Sequence, residues 1–404
     1  MSTSVLYHGF GVRGYRHEQT QVVDGRLVMR LSQPKESCRC SACGSREVVL
    51  SGVSEREFRS VPVGSQPVTI VLPIPRVACR ACGLVRQVAV KFAEPRRSYT
   101  KSIARYALEL SRLMTIKDVA CHLGVSWDMI KEILKSDLGK RVGKPKLRHL
   151  KRIAIDEISV GKGHRYLTLV LDLDSGAIVP VGEGKDGAAL NVFWKRRHSS
   201  HAKIEAVATD MSPAFIQAVG TNLPNAALVF DRFHVMKLFN DKLSDLRRQM
   251  FREATDQLDR QVLKGTRYLR LKRPHNLDNT QNERQRLDAA LELNQSLFTA
   301  DYLREDLAEF WEQDDQEEAE AFLLDGIARA EASEIKMLVK FAKTLRNHAL
   351  GLLAWYDHPI STGPLEGTNN KIKTMKRQAY GFRDQEFLKL KIYALHEAKY
   401  ALVG

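Results

Sequence analysis

Two acidic residues far apart in this 404-residue chain are its first candidates for catalysis. Asp156 ends an apolar run that is typical of a strand, and Glu366 opens a basic segment that is typical of a helix. Two such carboxylates could hold divalent cations against a nucleic-acid phosphate. The pattern therefore predicts metal-assisted phosphoryl transfer. The alternative is a solvated helix, because an acidic residue also stabilises a helix N-terminus.

The predicted glutamate helix carries several polar residues on one side. At about 100° per residue, one face contains Glu366, Asn370, Lys373 and Arg377. A carboxylate on that face can hold a cation while the amide and the bases contact phosphates. We therefore predict Asn370, Lys373 and Arg377 to be accessory residues of the site.

The charge of the chain is positive and unevenly distributed. Lys and Arg number 63 against 48 Asp and Glu, which gives a net charge of +15 and a pI near 9.5. Residues 84–151 carry 16 basic and 6 acidic side chains, whereas residues 301–334 carry 2 basic and 13 acidic ones. This asymmetry indicates an anionic polymer as a partner, bound mainly by the N-terminal third. The helix-turn-helix described below makes double-stranded DNA the predicted polymer. The alternative is a basic surface kept for solubility.

Neither a secretory leader nor a membrane span is indicated by the sequence. The first residues lack the apolar core of a signal peptide, and no run reaches the roughly 18 apolar residues of a membrane helix. We expect a cytoplasmic protein, associated with the nucleoid when it is bound to DNA. In a reducing compartment, its six cysteines are ligands or free thiols rather than disulfides.

Four early cysteines form two Cys-x-x-Cys-Gly knuckles. The proposed ligands are Cys40, Cys43, Cys79 and Cys82. Two residues between thiolates allow both to grip one ion, and the glycine permits the tight turn that follows. The intervening strand, predicted at Val68–Leu72 between two prolines, suggests a zinc ribbon-like unit with structural Zn²⁺. Cys38 is a spare that could replace Cys40, and two incidental thiol pairs are the alternative.

Residues 116–131 have the spacing of a helix-turn-helix. Gly124 supplies the turn, and Ser126 is predicted to cap the second helix. The predicted DNA-binding residues are the second-helix positions Ser126, Trp127, Lys131 and Lys135 and the preceding pair Arg96 and Arg97. Helical hairpins of this kind also occur as plain packing units, but the basic flanks favour DNA binding.

The pattern changes to strands after residue 151. Three strands, a helix, a strand, a helix and a final strand follow one another, which is the order of the ribonuclease-H-like fold. Three of these strands end in Asp156, Asp210 and Asp231, although single aspartates also cap turns. Residues 240–358 are charged and have apolar spacings of three and four, which predicts an all-helical insertion.

The predicted fold class is therefore a multidomain α+β protein whose mixed α/β catalytic core is interrupted by helices. The predicted domains are 1–95 with the zinc knuckles, 96–150 with the helix-turn-helix, 151–240 as the first part of the core, 241–358 as the insertion and 359–404 as the C-terminal part with the glutamate helix.

In combination, these motifs resemble the DDE-class insertion-sequence transposases of the ISL-three family. The matching segments are the cysteine knuckles, the helix-turn-helix, 155–157, 208–212, 230–234, 363–370 and 379–383. The resemblance covers nearly the whole chain. It implies a ribonuclease-H-like core with a helical insertion, and strand cleavage and transfer at terminal inverted repeats. It also implies a homodimer or higher oligomer on paired DNA ends.

The reaction needs an activated water for cleavage and an activated 3′-hydroxyl for joining. Two Mg²⁺ ions, for which Mn²⁺ can substitute, suit the predicted catalytic carboxylates Asp156, Asp210 and Glu366. We choose Asp210 over Asp231 because the fourth strand of such a sheet lies beside the first. Asp231 and His234 then position the following helix or a DNA phosphate, unless they form a local helix cap.

Two other functions stay open at this point. One is a domesticated, transposase-derived DNA-binding regulator that keeps the zinc and helix-turn-helix modules without the chemistry. The other is a metal-dependent nuclease without strand transfer. A metal-dependent nicking assay separates the first from an enzyme, and the reaction products separate the second.

Overall fold

The computed structural model describes residues 4–161, 163–253, 277–278, 282–292 and 295–396. The chain divides into two compact units, one formed by residues 1–144 and 374–404 and the other by residues 145–373. The sequence analysis assigned residues 359–404 to the catalytic core. By contacts, residues 374–404 group with the N-terminal unit instead. Part of the predicted insertion, residues 254–276, 279–281 and 293–294, lies outside the described residues.

The first unit begins with a short helix and a five-stranded sheet. Its elements are α1 (Val5–Phe10), β1 (Arg16–Val23), β2 (Arg26–Ser32), β3 (Val48–Val63), β4 (Gln66–Cys79) and β5 (Val85–Gln87). The order is β1-β2-β4-β3, and β5 pairs with β4 outside this series. Phe58, Ile70 and Leu72 form the centre of its core. The long β3–β4 hairpin carries the cysteines at one end.

Strand β4 is longer than the sequence predicted. The prediction ended the strand at Pro73, but β4 continues through Pro73 and Pro75. Strand β2 pairs with β4 only as far as Val71, and β5 pairs with it only from Arg76. Between these two points β3 is the one strand that pairs with β4, although the Val88 N–H donates to the Pro75 carbonyl at 2.9 Å. The missing proline N–H groups therefore remove no ladder bond to a second strand.

Three helices and a C-terminal helix complete this unit. They are α2 (Lys101–Leu110), α3 (Ile116–Leu123), α4 (Trp127–Arg141) and, late in the chain, α13 (Gln385–Tyr393). Gly124 has φ 58° at the turn, and the Ser126 hydroxyl accepts a bond from the Met129 N–H, as predicted. Phe387 and Leu390 of α13 join the core of the helix-turn-helix.

The second unit contains a mixed five-stranded sheet with two helices on it. Its strands are β6 (Arg152–Gly161), β7 (Arg165–Asp172), β8 (Ile178–Glu183), β9 (Ala206–Thr209) and β10 (Ala227–Phe230), with α5 (Asn191–Ser200) and α6 (Pro213–Asn222) between them. The order is β10-β9-β6-β7-β8. Strands β6, β7 and β8 are antiparallel, and β9 and β10 run parallel to β6. Phe193 and Phe215 fill the core beneath the sheet.

The remaining described residues of this unit are largely helical. The helices are α7 (Arg232–Glu253), α8 (Glu283–Glu292), α9 (Gln295–Glu309), α10 (Gln316–Ala332), α11 (Lys336–Asp357) and α12 (Gly363–Gln378), the last of which continues into the first unit. Of these helices, α7, α9, α10 and α11 share an apolar core that includes Phe239, Phe341 and Trp311. Within the described ranges, no helix is long and apolar enough to cross a membrane.

Helix α11 approaches the edge strand β10 closely at Gly351. A Cβ atom there would lie 2.4 Å from Cε2 of Phe230 and 3.2 Å from the carbonyl oxygen of Leu228. The Phe230 ring is 3% exposed and packs edge-on against His348, so it has little room to move. Glycine at this position therefore allows the helical part to sit against the sheet.

The Gly351→Ala substitution is expected to lower the free energy of unfolding by about 1–3 kcal/mol, because overpacking forces a shift of backbone or ring. Gly326→Ala is the matched control, since a Cβ at this α10 position meets no atom within 4 Å. The control should gain about 0.5–1 kcal/mol from better helix propensity. Urea unfolding of both variants measures the difference, and a Gly351→Ala protein as stable as the control would contradict the prediction.

Candidate functional site

The three predicted strand-end aspartates fall in one row across the sheet. In the parallel pairings, Ala154 lies opposite Ala208, and Thr209 lies opposite Phe230. Two residues beyond the first pair and one beyond the second, the same register sets Asp156 beside Asp210 and Asp210 beside Asp231. Asp156 lies within β6 rather than at its end, because β6 continues to Gly161 along its antiparallel neighbour. The neighbouring strand β9 nevertheless ends at Thr209, so Asp156 lies beside a strand end.

Asp156 is held from two directions. Its Oδ1 accepts a bond of 2.8 Å from the Glu157 N–H, and its Oδ2 accepts a bond of 2.8 Å from the Nδ2 of Asn369 on α12. Burial raises the pKa of Asp156, and the nearby Asp210 charge raises it further, whereas His234 and the two hydrogen bonds lower it. Asp156 and Asp210 are thus close enough to interact electrostatically.

Glu157 is a third acidic group that the sequence analysis did not select. Burial raises its pKa, and repulsion by Asp210 and Asp156 raises it further. The one signal for it in the sequence was its position next to Asp156 in segment 155–157, which carries part of the family resemblance. The Asp210 carboxylate also accepts a bond of 3.0 Å from the Ser212 N–H at the start of α6.

Asp231 is occupied by backbone donors. One oxygen accepts bonds from the N–H groups of Phe233 at 2.8 Å and His234 at 3.3 Å, which caps α7. The other oxygen accepts a bond of 2.8 Å from the Thr362 N–H, just before α12. Asp231 is 2% exposed. The local helix cap considered for this Asp-x-x-His segment is therefore present, together with a tie to the glutamate segment.

Helix α12 turns one face inward and another outward. Leu365, Asn369 and Ile372 are buried, and Glu366 is half-buried near the start of the helix. The predicted accessory residues Asn370, Lys373 and Arg377 are exposed. The residue that contacts Asp156 is Asn369, which the sequence analysis passed over in favour of its neighbour.

The acidic groups suit a hard cation. A divalent cation would offset the charge repulsion among Asp156, Asp210 and Glu157. Carboxylate oxygens are the ligands that Mg²⁺ prefers. In the described part of the chain, the four cysteines are the one group of three or more potential ligands whose atoms all lie within 4.8 Å. The strand register brings Asp156 and Asp210 together. Glu366 does not form a cluster of this tightness with them in the structure.

The two cysteine knuckles meet at the end of the β3–β4 hairpin. The Sγ atoms of Cys40 and Cys82 are 3.7 Å apart, and those of Cys43 and Cys79 are 3.6 Å apart. Both knuckles have the same backbone pattern, in which Gly44 or Gly83 donates to the carbonyl of the first cysteine. Cys38 lies outside the cluster, buried against Val77 and Val88, so the proposed exchange with Cys40 is not observed.

The ionisation of these thiols also fits a metal. The backbone N–H of Cys43 lowers the pKa of Cys40 to about 6. The Ser45 N–H lowers the pKa of Cys43, but the neighbouring sulfurs, Cys79 first among them, raise it to about 12. Four ionised sulfurs at this spacing need a cation, and four thiolates in a closed set are typical of structural Zn²⁺.

Five of the six predicted DNA-binding residues, all but Trp127, line a cleft of about 490 Å³ beside α4. Its lining includes Arg96, Arg97, Ser126, Lys131, Lys135 and Asp384. Asp384 pairs with the Nζ of Lys131 at 3.0 Å and of Lys135 at 3.1 Å. The Phe387 N–H and these lysines lower the pKa of Asp384 to about 2. Trp127 is 46% exposed beside Lys131, and Arg97 pairs with Glu132.

Three segments of the chain match known families. Residues 36–82 match the zinc finger of transposases IS204, IS1001, IS1096 and IS1165, and residues 88–137 match the helix-turn-helix domain of transposase family ISL3. Residues 153–392 match the ISL3 transposase family of the DDE type. Together the three segments define a DDE transposase, an enzyme that cleaves and joins DNA.

Full-length relatives agree with these matches. The chain is 31% identical over 391 residues to the transposase for insertion sequence element IS1001 of Bordetella parapertussis, covering 96% of this chain and 95% of that protein. It is 28% identical over 405 residues to the transposase for IS1557 of Mycobacterium tuberculosis, covering 92% and 89%. The chain belongs to the ISL3 family of transposases, which confirms the resemblance seen in the sequence.

Among solved structures, the chain is similar to a Drosophila P element transposase strand transfer complex. The similarity covers 74% of this chain and 93% of that chain, with 10% identity and a TM-score of 0.39. These values are too low to carry an argument about this chain.

Proposed function

We propose that this enzyme binds the terminal inverted repeats of an insertion sequence, cleaves its ends and transfers them to target DNA. It acts in the cytoplasm as a homodimer or higher oligomer. The observation that carries the proposal is the strand register that sets Asp156 beside Asp210, with the helix of Glu366 tied to Asp156 by Asn369. The IS1001 and IS1557 relatives are transposases of insertion sequences, which supports the same assignment.

The catalytic body is proposed to be a ribonuclease-H-like core with a helical insertion. Support comes from the order β10-β9-β6-β7-β8, with three antiparallel strands followed by two that run parallel to the first. Further support comes from helices α7 to α11, which lie in sequence between the last strand and the glutamate helix. Four of them, α7, α9, α10 and α11, share one apolar core.

The residues of the proposed site have different roles. Asp156, Asp210 and Glu366 supply the ligand charge for the divalent cations. Two such cations, Mg²⁺ or Mn²⁺, would activate the attacking oxygen and stabilise the leaving oxygen when bound. Asp231 holds the start of α7 and the segment before α12. The exposed Lys373 and Arg377 offer positive charge to DNA phosphates. His234 remains a candidate for such a contact.

The test of this function is a cleavage assay on a plasmid that carries the two ends of the element. The purified chain with Mg²⁺ should nick and cut at the ends and join them to a second plasmid, and EDTA should stop both reactions. Specific end binding without any cleavage would identify a DNA-binding regulator. Cleavage without joining would identify a nuclease. Either result would refute the proposal.

The helix-turn-helix is proposed to bind the ends through Lys131 and Lys135. Lys131→Ala should weaken end binding and make the slope of log affinity against log salt shallower by about 0.9, the value for one phosphate contact. Asp384→Asn should strengthen binding severalfold, because asparagine keeps the cap of α13 but no longer neutralises the lysines. Fluorescence anisotropy over a salt series measures both effects.

This test uses the full-length chain, because Phe387 and Leu390 belong to the core of the helix-turn-helix unit. A fragment that ends at residue 150 would expose the apolar face that these side chains cover. Lys340→Ala, an exposed lysine on α11, is the matched control for the loss of one positive charge. An equal effect of both lysine substitutions, or weaker binding by Asp384→Asn, would contradict the assignment.

A further inference from the structure

Glu366 lies between two hydrogen bonds that tie its segment to the sheet. Four residues before it, the Thr362 N–H donates to Asp231, which follows strand β10, at 2.8 Å. Three residues after it, the Asn369 Nδ2 donates to Asp156 of strand β6 at 2.8 Å. Each tie lies about one helical turn from Glu366. The two ties therefore fix the first turns of α12 against the row of aspartates.

The Asn369 contact is built into the structure rather than made at the surface. Asn369 is 5% exposed, and its partner Asp156 is half-buried. The orientation of the amide is determined, because the opposite one would place a carbonyl oxygen against a carboxylate oxygen. With the amide in this orientation, Oδ1 has no hydrogen-bond partner among the described residues. A buried acceptor without a partner is uncommon in folded proteins, and a water molecule or an ion at the site is one way to satisfy it.

The energetic reason for an asparagine here is specific to the carboxylate. Asparagine is polar at a position where the helix otherwise buries Leu365 and Ile372, so apolar packing alone would favour a leucine. The N–H donor stabilises the ionised form of Asp156 and restricts the rotation of its carboxylate. Groups that hold a ligand carboxylate in this way typically change metal affinity or activity by about 10–100-fold when they are removed.

We infer that Asn369 is a positioning residue, which orients the Asp156 carboxylate for the divalent cations and ties the turn that carries Glu366 to strand β6. This inference rests on the proposed function of Asp156 and Glu366. Asn370 has no part in it, although both asparagines follow the same glutamate.

The test compares Asn369→Leu and Asn369→Ala with the wild-type chain at full length. Leucine has the same number of side-chain heavy atoms without the donor but is bulkier, so alanine protects the test against a failure of leucine to fit. Asn191→Leu, at an exposed position at the start of α5, is the matched control. Calorimetric titration with Mn²⁺ in the absence of DNA should show affinity about 10–100-fold lower for both Asn369 variants. The kcat of strand cleavage should fall by a similar factor, while KM and end binding stay within twofold of wild type.

Two results would overturn the inference. One is Mn²⁺ affinity and kcat within twofold of wild type in both Asn369 variants. The other is a loss of folded protein and of end binding in proportion, with wild-type kcat and Mn²⁺ affinity in the folded fraction, which would make Asn369 a packing residue. If the wild-type chain cleaves no DNA, the proposed function fails, but the Mn²⁺ affinities still decide the role of Asn369.

Discussion

The Asp156→Asn, Asp210→Asn and Glu366→Gln variants are expected to lose strand cleavage by at least about a thousandfold while they still fold and bind the transposon ends. A carboxamide keeps the shape of each side chain but removes the negative charge that holds a cation. A loss of roughly 4 kcal/mol of transition-state stabilisation corresponds to this factor. The measurement is cleavage of an end-containing plasmid, with end binding measured by anisotropy on the same preparations.

Asp231→Asn separates the proposed metal ligands from the positioning residue beside them. Asp231 accepts three backbone bonds with its two oxygens, and asparagine would turn an N–H₂ group towards one of these donors. A buried donor left without a partner costs about 1–3 kcal/mol. We therefore expect a lower melting temperature with residual cleavage. Normal cleavage by Asp210→Asn, together with a folded but inactive Asp231→Asn protein, would contradict the choice of Asp210 as a metal ligand and favour Asp231 in its place.

Removal of the zinc is the second change with a large expected effect. The full-length chain should contain about one Zn²⁺, and Cys79→Ser should lose it together with the structure at the end of the β3–β4 hairpin. Structural zinc sites contribute apparent binding free energies of about 10–16 kcal/mol, so a large part of the stability of this sheet depends on the metal. Atomic absorption gives the metal content, and thermal unfolding with and without a chelator gives the stability.

The chain provides two controls for this experiment. Cys121→Ser changes an exposed cysteine outside the cluster, and Cys38→Ala removes a buried thiol that packs on valines. Both variants should keep one zinc per chain, and only Cys38→Ala should lose some stability. A Cys79→Ser protein with full zinc content and unchanged unfolding would refute the zinc assignment.

Local signals in the sequence were sufficient for several features of the fold. The spacing of Cys40, Cys43, Cys79 and Cys82 predicted a cluster that the structure contains, because two residues between the thiols and a glycine after them determine a knuckle locally. Ser126 and Gly124 predicted the helix boundaries of the helix-turn-helix for the same reason. The strand through Pro73 was missed, since proline is tolerated there only where the neighbouring strands leave a gap.

The polar contacts of the site were not predictable from such signals. The face of the glutamate helix was assigned from angular spacing alone, and this selected Asn370 rather than Asn369. Which of the two asparagines turns inward depends on where the helix packs against β6. The residues next to them in the sequence do not show this. The pairing of Lys131 and Lys135 with Asp384 was missed in the same way, because α13 was expected to belong to the catalytic core.

The sequence by itself determined the family, the zinc knuckles, the helix-turn-helix and the aspartates that follow apolar strands, because each depends on residues within one or two turns of chain. The tertiary structure decided which polar groups meet. The Asn369–Asp156 bond joins residues 213 positions apart, the Thr362–Asp231 bond spans 131 positions, and the Lys135–Asp384 pair spans 249. Contacts of this range depend on strand order, register and helix packing, which hydrophobic burial sets across the whole unit rather than any local motif.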